Sequence, residues 1–271
     1  MKTTDTPSLS RTSAGFTLVE MIGVMAIIAI LATVMVPNAL RMIERAAVRA
    51  EADTLHSLGE QVALYLRDNR LLPTPGNGNW NNQLATYATL NANDILFNKR
   101  QTVITRLYVP DPIAANQRVM LFSSMRRGVA LASYANIQAN FSAIWNAQDG
   151  TVPPGAGWGG WSTVPAPGNI EYLVIERVNL AAVYRTDLLP YSITLNQLGA
   201  GTVSYWVTWA NGAAPTFGTL TNATTPTVTL TLVSRDRVNL YSDAAGTVLK
   251  YTYVVSNSPK TFDYTTGWFP Q

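Results

Sequence analysis

The apolar and polar positions divide the chain into three patterns. From Phe16 to Val36 the sequence is FTLVEMIGVMAIIAILATVMV, apolar or small throughout except for two threonines and Glu20. As a helix these residues rise about 31 Å, enough to cross the hydrocarbon core of a bilayer. Beyond Pro37 the pattern turns periodic. Leu40, Ile43, Ala47, Ala50, Leu55, Leu58, Val62 and Leu66 recur every three to five residues, while Arg41, Glu44, Arg45, Arg49, Glu51, Glu60 and Arg67 take the other face. The two patterns predict one long helix over 16–69, kinked or loosened around Pro37 and ended by Asp68-Asn69-Arg70 and Pro73.

The remainder is mixed, then β-like. A Pro/Gly/Asn-rich loop at 73–82 is followed by a short helix at Trp80–Leu90, strands near Val103–Val109 and Arg118–Ser123, and helical spacing of Tyr134, Ile137, Phe141, Ile144 and Trp145. A Pro/Gly-rich stretch at 151–169 reads as a long irregular loop or a linker. From 170 onward Val, Thr, Tyr and Leu alternate with polar residues at Tyr172–Glu176, Ala181–Arg185, Val203–Trp209, Thr227–Ser234, Arg237–Ser242 and Thr247–Ser256. Turns at Ser234–Arg237 and Asp243–Gly246 predict a three-stranded antiparallel meander over 227–256. The fold class is α+β: a long N-terminal helix, its first half transmembrane, packed by its second half on an antiparallel β-sheet head with an extended β-rich C-terminal part. The expected divisions are 1–15, 16–36, 37–70 and a head at 71–271, irregular over 71–169 and β-rich over 170–271.

Composition narrows the chemistry. The chain has 271 residues with no cysteine and one histidine, so disulfides, thiolate zinc sites and cysteine nucleophiles are excluded. A net charge of +3 without a Lys/Arg run gives no support to nucleic-acid binding. The single carboxylate of the apolar run, Glu20, would cost about 2.5–3.5 kcal/mol at mid-bilayer and less near the interface, so its presence points to function.

The flanks of Glu20 say which function. A secretory signal places its cleavage site after the apolar run; here the small pair Ala14-Gly15 precedes it, so a cut after Gly15 leaves the apolar segment on the mature chain. Gly15-Phe16-Thr17-Leu18-Val19-Glu20, the apolar helix and Pro37 resemble the N-terminal motif of type IV pilins and type II secretion pseudopilins. The resemblance covers the first 40 residues, with an echo in Asp68-Asn69 and Pro73. It implies a leader at 1–15 removed after Gly15 by prepilin peptidase, N-methylation of Phe16, an inner-membrane single-pass subunit with its head in the periplasm, and polymerisation through the helix with Glu20 and Pro37 as assembly residues. Glu20 of one subunit would meet the Phe16 ammonium of its neighbour. The implied partners are copies of this chain, other pilin-like subunits, the prepilin peptidase/methyltransferase, the inner-membrane assembly platform and the membrane. The lack of cysteine favours the pseudopilin over the pilin. One signal conflicts: Arg41, Arg45 and Arg49 follow the apolar run, against Lys2 and Arg11 before it, so a positive-charge count alone would put the head in the cytoplasm.

No nucleophile elbow, phosphate-cradling loop or His-Glu metal motif occurs, so the chain reads as no enzyme. No cofactor is expected, calcium being the one ion for which Asp236, Asn239 and Asp243 offer hard oxygen ligands; their spacing matches no calcium loop, and acids ordering their own turns explain them better. Trp158, Trp161, Trp206, Trp209 and Trp268 fit core packing or a carbohydrate- or protein-binding surface. The alternative function is a membrane-anchored extracytoplasmic enzyme or carbohydrate/protein-binding module using the helix only as a tether.

Overall fold

The computed structural model describes residues 17–76, 79–98, 105–126, 128–163, 169–256 and 258–271. Helix α1 spans Leu18–Asn69 and runs on through Pro37, which has no N–H to bond the Thr33 carbonyl. Its end is fixed by Arg70, whose left-handed backbone (φ 63°) stops the helix while its N–H still bonds the Leu66 carbonyl at 2.7 Å. The chain divides into two compact units, residues 1–49 and residues 50–271, so α1 contributes to both.

In the second unit, α2 (Trp80–Ala88) and α3 (Ala92–Leu96) lead into β1 (Arg106–Pro110) and β2 (Arg118–Ser124); α4 (Tyr134–Ala139) and α5 (Phe141–Trp145) precede β3 (Leu173–Asn179). The three strands form an antiparallel sheet in the order β1-β2-β3. Six of the seven residues of β2 are buried, because the sheet is covered on both faces. On one face Met120, Phe122 and Val109 pack with Ile137, Phe141, Ile144, Trp158 and Trp161. The other face receives α1 through residues alternating with those. Arg106 reaches Glu51, Glu176 reaches His56, and Val178 lies against Gly59, where an added Cβ would come within 2.7 Å of its Cγ2. A glycine there lets helix and strand approach closely.

Leu55, Leu58, Val62 and Leu66 are buried as the periodicity requires, but Glu51 joins them. The expectation that Glu51 sits on the polar face is corrected: Arg106 pairs with it inside the head. Residues 181–185, expected as a strand, are helix α6 (Ala181–Thr186); the Asn179 side chain accepts the Ala181 N–H at 3.0 Å and turns the chain out of β3.

The remaining strands are β4 (Pro190–Gln197), β5 (Thr202–Thr208), β6 (Thr216–Thr221), β7 (Thr227–Val233), β8 (Arg237–Tyr241), β9 (Leu249–Val254), β10 (Lys260–Tyr264) and β11 (Trp268–Pro270). They build two four-stranded sheets, β11-β10-β4-β7 and β6-β5-β8-β9, antiparallel except for the parallel β10–β4 pair. Ile193, Leu195, Val203, Val207, Leu220, Val238, Leu240 and Phe262 fill the space between them. The predicted meander over 227–256 is therefore broken: β8 and β9 pair with each other, but β7 pairs with β4 in the opposite sheet. The physical reason lies at Asp236, whose buried carboxylate accepts the N–H of Val233 at 3.1 Å and of Ala210 at 2.9 Å, turning the chain from one sheet to the other.

Candidate functional site

Thr17 stands just outside the first turn of α1 and Glu20 within it. The Thr17 N–H and hydroxyl both donate to Glu20 Oε2, at 2.9 and 2.8 Å, and the Glu20 N–H reaches back to Thr17 Oγ1 at 3.3 Å. This is a reciprocal capping box, which satisfies two of the backbone donors that a helix start leaves unpaired. Its signal, Thr-x-x-Glu ahead of an apolar run, is present in the sequence, although the capping by Thr17 was not among the expectations drawn from it. Glu20 Oε1 accepts no hydrogen bond among the described residues, so the carboxylate can cap its own helix and still present one oxygen outward. The leader at 1–15, Gly15 included, and Phe16 lie outside the described residues.

The helix that follows has no covering within its own chain. Leu18 is 75% exposed, Ile30 66% and Ile43 60%, and the large apolar residues between them are similarly bare. Exposed leucine, isoleucine and methionine all round a helix, rather than along one stripe, fit a lipid or a helix bundle rather than water. Among the described residues α1 is the one helix long and apolar enough to cross a membrane.

Residues 10–36 match the prokaryotic N-terminal methylation motif. That motif is typical of type IV pilins and pseudopilins, and it implies processing by prepilin peptidase. With the apolar helix it suggests a membrane-anchored prepilin and a structural protein. The long helix packed against β-sheets is the pilin-like α+β arrangement. No curated protein matches the chain. One solved structure, titled "Trapped Toxin", aligns over 58% of this chain and 47% of its own, so this protein spans less than half of that chain's length. The identity is 12% and the TM-score 0.15, a likeness that carries no argument.

Several of the head's charged residues pair with one another. Glu51 and Arg106 are each 6% exposed and meet through two bonds. Asp111 accepts Arg118 Nε and Nη2 at 2.9 and 2.7 Å, and the Arg118 guanidinium lies 4.8 Å from the Trp145 ring centre. Burial pushes the Asp111 carboxyl up, but the Ile113 N–H, Arg118 and Asn116 outweigh it and hold it below the usual carboxylate range. Asp149 pairs with Arg177. Asp68 lies between Arg67 and Arg235; burial raises its pKa, but these hydrogen bonds and charges leave it lowered overall.

The calcium candidates are not brought together. Asp236 precedes β8, is fully buried and is bound by Arg70; Asn239 lies within β8 and accepts the Thr252 hydroxyl; Asp243 follows the strand and caps its own turn. The N–H of Val248 and the hydroxyl of Thr247 hold the Asp243 carboxyl below its ordinary range. Among the described residues no three His, Asp or Glu side chains are grouped to hold a metal. Of the tryptophans, Trp158, Trp161 and Trp268 are buried, and the last two donate their indole N–H to the carbonyls of Ala130 and Tyr241. Trp209 bonds Thr216, while Trp206 packs on Phe217, 5.1 Å between ring centres.

Proposed function

We propose that the chain is a structural subunit of a pilus-like filament, a type II secretion pseudopilin in preference to a type IV pilin. Cleavage after Gly15 frees the amine of Phe16, which becomes methylated. The subunit waits in the inner membrane with its head in the periplasm, and the assembly platform then draws the stem into a bundle of like helices. One observation carries this proposal: behind a prepilin-type motif, α1 exposes apolar side chains on every face from Leu18 to Ile43. Such a surface has to be covered, first by lipid and then by neighbouring stems. In the bundle the outward oxygen of Glu20 meets the Phe16 ammonium of the next subunit, two charges tolerable together and costly apart.

Mass spectrometry of the mature protein together with electron microscopy of sheared filaments tests the proposal. It expects an N-terminal methyl-Phe16 and this chain in the filaments. An uncut leader on a protein that never leaves the monomeric state rules it out. Deletion separates the two systems, since loss of a secreted protein marks a pseudopilin and loss of surface fibres marks a pilin.

A further inference from the structure

Three arginines follow the apolar run on α1. Arg41, Arg45 and Arg49 recur at every fourth residue of α1 and form one stripe along it. All three are exposed, and none takes part in an ion pair among the described residues. Their neighbours Leu40, Met42 and Ile43 are exposed and apolar. From this placement we infer that Arg41 and Arg45 bind the phosphates of anionic phospholipid headgroups in the leaflet on the head side, fixing the height of the stem while the subunit waits in the membrane.

The inference rests on the membrane-spanning part of the proposed function, and helix geometry supplies the rest. With Val36 at the edge of the hydrocarbon, a rise of about 1.5 Å per residue puts Arg41 about 7.5 Å beyond it and Arg45 about 13.5 Å. The headgroup layer is about 5–7 Å thick on each side, so Arg41 falls at its outer limit. Helical side chains lean toward the N-terminus, here back toward the bilayer, so the long Arg41 side chain brings its guanidinium among the phosphates and that of Arg45 comes back to the outer edge of the layer, while Leu40 lies within the layer. Guanidinium and phosphate fit through paired N–H donors.

The competing occupant is an acid of a second copy, and the stem offers few. Glu20 faces Phe16 in the proposed bundle, Glu44 is engaged, Glu51 is buried on Arg106, Glu60 lies beside His56 and Asp68 lies between Arg67 and Arg235, which leaves Asp53. Lipid phosphates are present at the required height before any second copy arrives. The charges that contradict the expected orientation thus acquire a task on the side where they lie.

The test uses the full mature chain. It has no cysteine, so Ala46→Cys gives one labelling point beside Arg45. A fluorophore there is quenched by spin-labelled phosphatidylglycerol or phosphatidylcholine in nanodiscs of mixed composition, and the ratio gives the local preference for the anionic lipid. The parent should favour phosphatidylglycerol, and each arginine removed should lower that preference about fivefold. Arg41→Gln with Arg45→Gln should bring it near unity, and Arg41→Lys with Arg45→Lys should retain most of it. Equal quenching by both lipids in the parent overturns the inference. So does an undiminished preference in the Gln variant, above all if that variant no longer enters filaments, because the stripe then serves a second copy. A label quenched by neither lipid also overturns the inference, because the stripe then stands clear of the headgroups.

Discussion

Arg106 on β1 grips Glu51 on α1 with two bonds, Nε to Oε1 at 2.5 Å and Nη2 to Oε2 at 2.7 Å, while its Nη1 donates to the Asp94 carbonyl. The pair is sealed between helix and sheet, where an unpaired charge is expensive. Glu51→Ala should therefore cost about 3–5 kcal/mol in urea unfolding of the detergent-solubilised protein. Glu51→Leu with Arg106→Met should recover most of the loss, since an apolar pair of similar volume needs no compensation. A single variant as stable as the parent would show that the pair contributes nothing to the head.

The capping box gives Glu20 two duties that substitution can separate. Glu20→Gln keeps an oxygen for the Thr17 N–H but removes the charge; Glu20→Ala removes both. Both variants should insert and be cleaved. Neither should enter filaments, and Glu20→Ala alone should fray the first turn of α1, at a cost of about 1 kcal/mol. Amide exchange at residues 18–21 and filament yield read the two duties apart. Normal filaments from Glu20→Gln would rule out the intersubunit pair and leave the cap.

Gly59 is spaced for β3. An alanine is normally worth about 1 kcal/mol more than glycine inside a helix, but at this site its Cβ would meet Val178 Cγ2 at 2.7 Å. Gly59→Ala should fail to stabilise, Gly59→Leu should lose about 1–3 kcal/mol, and Val178→Ala should rescue Gly59→Ala. Thermal unfolding of the four proteins tests the coupling.

The His56 Nδ1–H donates to Glu176 Oε1 across 2.9 Å, and the hydrogen bond, then the charge, of Glu176 raises its pKa above the ordinary 6.5. A raised folded-state pKa means the contact favours folding fully below 6.5 and ceases to do so as pH climbs through the higher folded value. His56 is the single histidine, so its ring signal in NMR is unambiguous. Its midpoint should lie above 6.5 and return toward it in Glu176→Gln. A midpoint at or below 6.5 in the parent would contradict the pairing.

Asp236 joins the β-sandwich to the end of the stem. It is fully buried, binds Arg70, and accepts two backbone N–H groups, while Arg70 lies 5.9 Å from the Trp209 ring centre. Asp236→Ala leaves the half-buried Arg70 guanidinium without its partner and two N–H groups unsatisfied, and should cost about 3–5 kcal/mol. The Trp209 environment should change with it, seen as altered tryptophan emission before global unfolding. Unchanged emission and stability would exclude this role.

The sequence by itself determined what depends on near neighbours. The apolar run, the change of period after Pro37, the end of α1 at Arg70 and the prepilin-type junction are all local patterns, set by helix geometry and by a motif read over a few residues. The stripe Leu55, Leu58, Val62 and Leu66 was legible for the same reason, and so were β2 and β5, whose residues carry their own propensity. Only the tertiary structure decided which strand lies beside which. The turn before Asp236 looks like a hairpin locally and becomes a crossing between sheets because its carboxylate binds the N–H groups of Val233 and Ala210 and is itself bonded to Arg70, 166 residues away. Glu51 looks solvent-facing by period and is buried because Arg106, 55 residues on, neutralises it there. Burying a charge depends on a partner that no window of sequence contains, and such pairs join this head to its stem.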